Sequence, residues 1–305
     1  MDTFDVSLTQ TVPLGETEKL RFFIGTYTGQ DGGQGIYTSW LDMNTGSLEE
    51  PVLAAKCDNP AFLAFHPTQP YLYAIEESRQ GILRAFLYDK MNGKLALHDE
   101  KKVPGRGPCH LVCCQSEDGE TAIVVANYGS GSVVSFPILG NGKIGNVASE
   151  IAHVGLGPHP TRQQEPHAHG AYFDGQTVAV PDLGIDQVIY YGIDLKTAQL
   201  SPSSETANLQ LPAGAGPRRL AVSKDMQYVY VVNELDSTVS VFDRFLPKSS
   251  NLIQTVSTLP KDVDAVLLDN STAEITLHPC GSILYVSNRG HDSIAVFSID
   301  HEKKL

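Results

Sequence analysis

A repeat constrains this chain of 305 residues more than any other feature. Four segments each read as a strand, a short polar knot and a second strand: TAIVVANYGSGSVVSF from Thr121, TVAVPDLGIDQVIYYGID from Thr177, YVYVVNELDSTVSVFD from Tyr228 and ILYVSNRGHDSIAVFSID from Ile283. Looser copies start at Arg21 and Tyr71, so six copies follow one another at intervals of 50 to 56 residues. Ahead of five copies stands another short alternating run: PAFLAFHPTQP, GPCHLVCCQSEDG, EPHAHGAYFDG, GPRRLAVSKDM and AEITLHPCGS. A fourth, less regular run such as SSETANLQL or LIQTVSTL comes after the pair. Units of four antiparallel strands, repeated at about fifty residues, describe an all-β chain of the β-propeller class. WD40 repeats are shorter and carry a Trp-Asp pair, whereas this chain has one tryptophan, Trp40.

In each unit the small-residue run is the inner strand A, the hairpin supplies B and C, and D lies outermost. Strand A of blades two to six is expected near residues 60–66, 108–114, 167–173, 217–223 and 272–278. Residues 1–20 read as an N-terminal extension and 21–305 as the propeller domain. The first copy opens on its strand B, and the sequence ends soon after strand C of the sixth. The simplest expectation is a seven-bladed ring of which about six blades are in view. A six-bladed ring closed by residues 5 to 10 as a last strand D is the other, and it leaves blade one without an inner strand.

Composition agrees with many short strands joined by turns: 27 Gly, 18 Pro and 12 Tyr. The formal charge is −13, which on average repels nucleic acid and anionic membrane surfaces, so an anionic ligand needs a local basic pocket. Five cysteines without CxxC spacing, behind a start that lacks a secretory leader, suggest a reducing cytoplasm. No segment is apolar enough for a membrane span.

In an antiparallel sheet the start of strand A and the end of strand B share one end. The A column reads Phe62, His110, His169, Arg219 and Glu274. The B column reads Tyr27, Glu76, Asn127, Asp182, Asn233 with Glu234, and Asn288 with Arg289. Packing alone would repeat one residue type. A different polar group from each blade suits a ligand without symmetry. The plainer reading of Asn127, Asp182, Asn233 and Asn288 is that they open tight turns. His110 and His169 could equally pin loops, and Arg219 could pair with Glu274. His167 and His169, one residue apart, would share a face in an extended chain, but no third ligand stands at metal-site spacing.

RQQEPHAHGAYFDG with VPDLGIDQV, then GPRRLAVSKDMQYVYVVNELDSTVSVF, then AEITLHPCGSILYVSNRGHDSIAVFSID resemble the seven-bladed propeller lactonase family of bacterial 6-phosphogluconolactonases and fungal carboxymuconate-lactonising enzymes. The likeness runs from about Phe22 to Ile299. Where that family commonly has Arg-His at the fifth inner strand, this chain has Arg218 and Arg219.

The resemblance implies hydrolysis of a sugar-acid lactone, 6-phosphogluconolactone first, without metal or organic cofactor and with a small-molecule substrate as the partner. It implies His169 as general base, Glu234 or Glu274 as its orienting partner, and Arg289 or Arg219 as ligand for an oxyanion or phosphate. His110, His167, Asn127, Asp182, Glu76 and Asn233 are then expected around the substrate. The alternatives are a lactonising cycloisomerase and a non-catalytic propeller scaffold.

Overall fold

Five of the six repeats fold into sheets of four or more strands and the last into three. The computed structural model describes residues 6–7, 19–29, 32–248, 250–263, 265–266 and 268–300. In chain order the first sheet holds β1 (Val6–Ser7), β2 (Lys19–Gly25), β3 (Gly35–Asp42) and β4 (Val52–Lys56). The second holds β5 (Pro60–Phe65), β6 (Tyr71–Glu76), β7 (Ile82–Tyr88) and β8 (Leu95–Lys102). The third holds β9 (Pro108–Gln115), β10 (Thr121–Asn127), β11 (Ser132–Ile138) and β12 (Ser149–Ala152). The fourth comprises β13 (Tyr172–Phe173), β14 (Thr177–Asp182), β15 (Gln187–Asp194) and β16 (Gln199–Pro202), with β17 (Leu209–Gln210) also on β15. The fifth is β18 (Pro217–Val222), β19 (Tyr228–Asn233), β20 (Thr238–Asp243) and β21 (Leu252–Ser257). The sixth is β22 (Ser271–Leu277), β23 (Ile283–Arg289) and β24 (Ser293–Ser298). Among the described residues there is no α-helix, and no helix long and apolar enough to cross a membrane.

The chain divides into two compact units: Met1–Gly129 with Val133–Glu150 and Asp194–Gln199, and Ser130–Ser132 with Ile151–Ile193 and Leu200–Leu305. In the first unit Phe23, Ile36, Leu63, Leu72 and Phe86 form one core, and Tyr73, Ile75, Leu111, Ile123 and Val125 another. Leu72 and Ala74 face one core and Tyr73 and Ile75 the other, so β6 is buried on both sides. The second unit repeats the device. Val229 and Val231 of β19 pack with Val188, Tyr190 and Leu220, while Tyr230 and Val232 pack with Ile275, Leu284 and Val286. Successive side chains of a strand point to opposite faces, so a strand between two neighbours must be apolar at every position. This explains the unbroken YVYVV and TAIVVA runs.

Two expectations are corrected. Residues 6–7 pair with β2, Val6 opposite Ile24 and Ser7 opposite Phe23, in the inner place of the first sheet rather than as a closing outer strand. The inner strand expected over 167–173 is regular only at Tyr172–Phe173, with an isolated bridge between Ala168 and Asp182. Ala168 pairs with Asp182 but Tyr172 with Ala179, so one extra residue lies between those points. The same irregularity recurs at Pro60/Phe62, Ala126/Asn127, Pro217/Arg219 and Thr272/Ile275. It is a β-bulge at the same level of five inner strands, which ends regular pairing and re-aims a side chain.

The approach to the bulge of the fourth sheet is tight. A Cβ on Gly184 would overlap the carbonyl of Glu165 and the backbone of Pro166, the residues that lead into His167. Gly184→Ala should therefore lower stability by about 1–3 kcal/mol through overpacking, read as a fall in melting temperature. An unchanged melting temperature would show that the 165–166 backbone moves aside freely.

Candidate active site around Glu234

Glu234 follows β19, whose last residue is Asn233. Its backbone N–H donates to the carbonyl of Gly216 (2.7 Å) and that of Leu235 to Ala215 (3.0 Å), which holds the carboxylate beside the start of β18. Its side chain is about 5% exposed. The Arg162 guanidinium donates from Nη2 to Oε1 at 2.5 Å. Arg218 Nε lies 3.0 Å and Arg289 Nη2 3.1 Å from Oε2, and His169 Nε2 stands 3.8 Å from the same oxygen. Arg218 is held further by Nη1 donating to the carbonyl of Ala273 (2.6 Å), and Arg289 by Nη2 donating to Thr272 (3.1 Å).

Three guanidiniums around one carboxylate leave an excess of positive charge in a chain of net charge −13. Burial pushes the His169 imidazole down and the Arg218 cation adds to it, against the pull of Glu234, so its pKa falls to about 3 and the ring is neutral at any working pH. Burial works to raise the Glu234 carboxyl, but the positive charge of the His169 ring when protonated and of the three arginines prevails, at about 2. Glu234 is thus an anion, with the arginines as its counter-charge at working pH.

Of the residues expected from the sequence, His169, Glu234 and Arg289 come together here. Arg219 and Glu274 are found facing each other. They form a pair of their own, Nε to Oε2 at 3.6 Å, with the Arg219 side chain only 1% exposed. The physical reason is the bulge. His169 is the residue after Ala168, the partner of the last residue of β14, and its counterpart is Arg218, the residue after Pro217, the partner of Asn233. The column joining His169 to Arg219 is one residue out of register.

Asp182 serves the loop. Its Oδ1 accepts from the N–H of His167 (2.7 Å) and of Gly184 (2.9 Å), and Oδ2 lies 2.6 Å from Nδ1 of the buried His153. The main chain of His169 donates to Pro181 (2.9 Å), and that of Leu183 to His167 (3.0 Å). Asn233 donates to Thr238 and Ser240 across its own hairpin, the turn role of the plainer reading. In the first unit, Glu76 takes the Arg84 guanidinium (2.5 Å), Asn127 donates to the Pro104 carbonyl (2.9 Å), and His110 lies against Phe62 with ring centroids 3.9 Å apart. Among the described residues no three His, Cys, Asp or Glu side chains gather as ligands of one metal ion.

Arg162 and Arg218 were missed from the sequence. Arg218 was masked by its neighbour. Aligning the prolines of GPCH and GPRR and counting to the bulge residue would have found it. Arg162 stands in an irregular arm, where no periodicity points to it.

The depressed imidazole has a consequence for stability. Unfolded, His169 takes a proton near 6.5; folded, only near 3, so lowering the pH between those values favours unfolding. The contribution is fully present above 6.5 and lost towards 3. His169→Gln should therefore lose less stability than the parent as the pH falls from 6.5 towards 4.5, the ordinary value of the Glu234 carboxyl, near which that group's own titration also enters. Parallel pH–stability curves for the two proteins would contradict a neutral, buried His169.

The comparisons with known proteins converge. The chain is 38% identical over 284 residues to the 6-phosphogluconolactonase of Bacillus subtilis (strain 168), spanning 91% of this chain and 77% of that one. It is 29% identical over 287 residues to the 6-phosphogluconolactonase of Formosa agariphila, spanning 91% of this chain and 78% of that one. The solved structure of the periplasmic gluconolactonase of Pseudomonas aeruginosa superposes with a TM-score of 0.83 at 27% identity, covering 94% of this chain and 81% of that one. Residues 21–305 match the model of the family described as lactonase, 7-bladed beta-propeller, and the chain belongs to that family.

Proposed function

We infer that this chain is a lactonase that opens a sugar-acid lactone, 6-phosphogluconolactone before others, at the Glu234 cluster. The observation that carries the reading is the excess positive charge around a neutral imidazole. Such a site attracts an anionic substrate and keeps a base ready. Guanidiniums present planar forks that match carboxylate and phosphate oxygens. The kinship with 6-phosphogluconolactonases supports the same substrate. No disulfide links the five cysteines, which suits a reducing compartment such as the cytoplasm.

In the mechanism, the His169 imidazole takes a proton from water as the water oxygen attacks the ester carbon. The carbonyl oxygen becomes an oxyanion, held by a guanidinium of the cluster. The tetrahedral intermediate collapses, the ring C–O bond breaks, and the imidazolium returns its proton to the leaving ring oxygen, giving the open hydroxy acid. Glu234, 3.8 Å from Nε2, steadies the imidazolium in between. Arg289 and Arg162, each about a third exposed, are the arms placed to meet the substrate's anion, while the more buried Arg218 stays with Glu234.

An imidazole of pKa about 3 is a weak base. Burial and the Arg218 and Arg289 charges keep it so. A substrate anion that engages the guanidiniums cancels part of their charge and moves the imidazole towards the working pH. The substrate thereby activates its own base. General-base help of about 10²–10⁴-fold is sufficient for a reactive lactone.

Proton release should be seen with 6-phosphogluconolactone, less with gluconolactone, and not with a carboxymuconate lactone. His169→Gln should retain its fold and lose about 10²-fold or more in turnover. Full turnover in that variant would remove His169 from the chemistry. The acid limb of kcat, which reports the substrate complex, should lie at higher pH than that of kcat/KM, which reports the free enzyme. Coincident limbs would refute activation by the substrate. Arg289→Lys should mainly raise KM, and more so for the phosphorylated lactone, because a point charge replaces a two-pronged donor. An equal rise for both lactones would move the phosphate to another arginine.

A further inference from the structure

Arg162 has no regular element to hold it, yet it reaches Glu234. The adjacent residue is wholly buried. Gln163 donates from Nε2 to the carbonyl of Leu183 (2.8 Å) and to Oδ1 of Asp186 (2.7 Å), while its Oε1 accepts from the N–H of His159 (3.0 Å). Its main chain closes the same turn, with Gly157 donating to its carbonyl (2.9 Å). The side-chain amide of Gln163 is therefore a strut between the arm and the turn after β14.

The far end of the strut is Asp186, itself 3% exposed and with φ of +54°. Its Oδ1 also accepts from the N–H of Gly216 and its Oδ2 from that of Gly214, both at 2.8 Å. Its backbone carbonyl takes the N–H of Leu211 (2.9 Å). Gly216 in turn accepts from the Glu234 N–H and stands two residues before Arg218. Three ionic partners thus hang on one buried carboxylate: Arg162 through Gln163, Glu234 through Gly216, and Arg218 through the same stretch of backbone.

We propose that Gln163 and Asp186 are positioning residues of the reaction: together they set where Arg162 stands relative to Glu234, and so the affinity for the substrate's anionic group. This rests on the reading that Arg162 meets that anion. Every hydrogen-bonding atom of the strut is engaged, so an apolar replacement of similar length fills the space but frees the arm. Gln163→Met is that replacement. Asp186→Asn is not, because both carboxylate oxygens accept N–H donors and an amide would set one N–H against another.

The experiment compares the parent, Arg162→Ala, Gln163→Met and the double variant, with steady-state kinetics on 6-phosphogluconolactone well below their melting temperatures. Arg162→Ala and Gln163→Met should each raise KM by about tenfold with much smaller changes in kcat. In the double variant Gln163→Met should add nothing further, since there is no guanidinium left to place. A purely structural glutamine would lower the melting temperature but leave KM alone, or would add its full effect to Arg162→Ala; either result overturns the proposal. If Arg162→Ala itself leaves KM unchanged, the anion-binding reading of Arg162 fails and the proposal falls with it. Should Gln163→Met not fold, Gly157→Ala replaces it: the added methyl would lie 2.5 Å from the Gln163 amide carbon and displace the same strut. That variant should show the same KM rise and the same lack of further effect on Arg162→Ala, and a parental KM would overturn the proposal equally.

Discussion

Burial of the second strand on both faces, complete in the third, fourth and fifth sheets, governs where chemistry can appear. The interior positions of β10, β14 and β19 are all buried, so a polar side chain there would face a neighbouring sheet without water. The first place a polar group can be satisfied is the strand's end. Asn127, Asp182 and Asn233 stand there, and Glu234 follows the last of them. The apolar packing that stabilises the blades thereby confines polar groups to their rims.

Electrostatics then distinguishes one rim position from the rest. Asn127, Asn233 and Asn288 are buried too, but they are neutral, and their amide N–H groups donate to nearby carbonyls and hydroxyls. Glu234 is ionic and 4% exposed, so it needs cations. Those cations come from three separate parts of the second unit: the 155–166 arm, the start of β18 and the end of β23. One carboxylate therefore ties together segments distant in sequence. Burial, helped by two of these cations, Arg218 and Arg289, keeps the neighbouring imidazole unprotonated, which couples the integrity of the site to its reactivity.

The blades were legible in the sequence because burial on two faces writes long apolar runs, and turns between them need Gly, Asn and Asp. The inner strands at Pro60, Pro108, Pro217 and Ser271 were located to within a residue or two for that reason. The site was legible in part. Of the cluster around Glu234, the residues His169, Glu234 and Arg289 stand out in the sequence because they lie near strand ends that recur. The sequence column reaches Arg219 rather than Arg218 because a bulge adds a residue without changing composition, and alternation cannot register it. Arg162 was invisible because hydrogen bonds of a buried amide, not periodicity, fix its arm. The short strand at Val6–Ser7 carries no such repeat to announce it.

The recurrent bulge also makes the fold adaptable. Its extra residue is Ala61, Cys109, His169, Arg218 or Ala273 depending on the blade, four kinds of side chain on one shared backbone geometry. The ladder on either side does not depend on which of them is present. Each bulge is in that sense an exchangeable socket: natural variation or a designer could alter the chemistry of a blade there, residue by residue, while the sheets that carry it keep their registers.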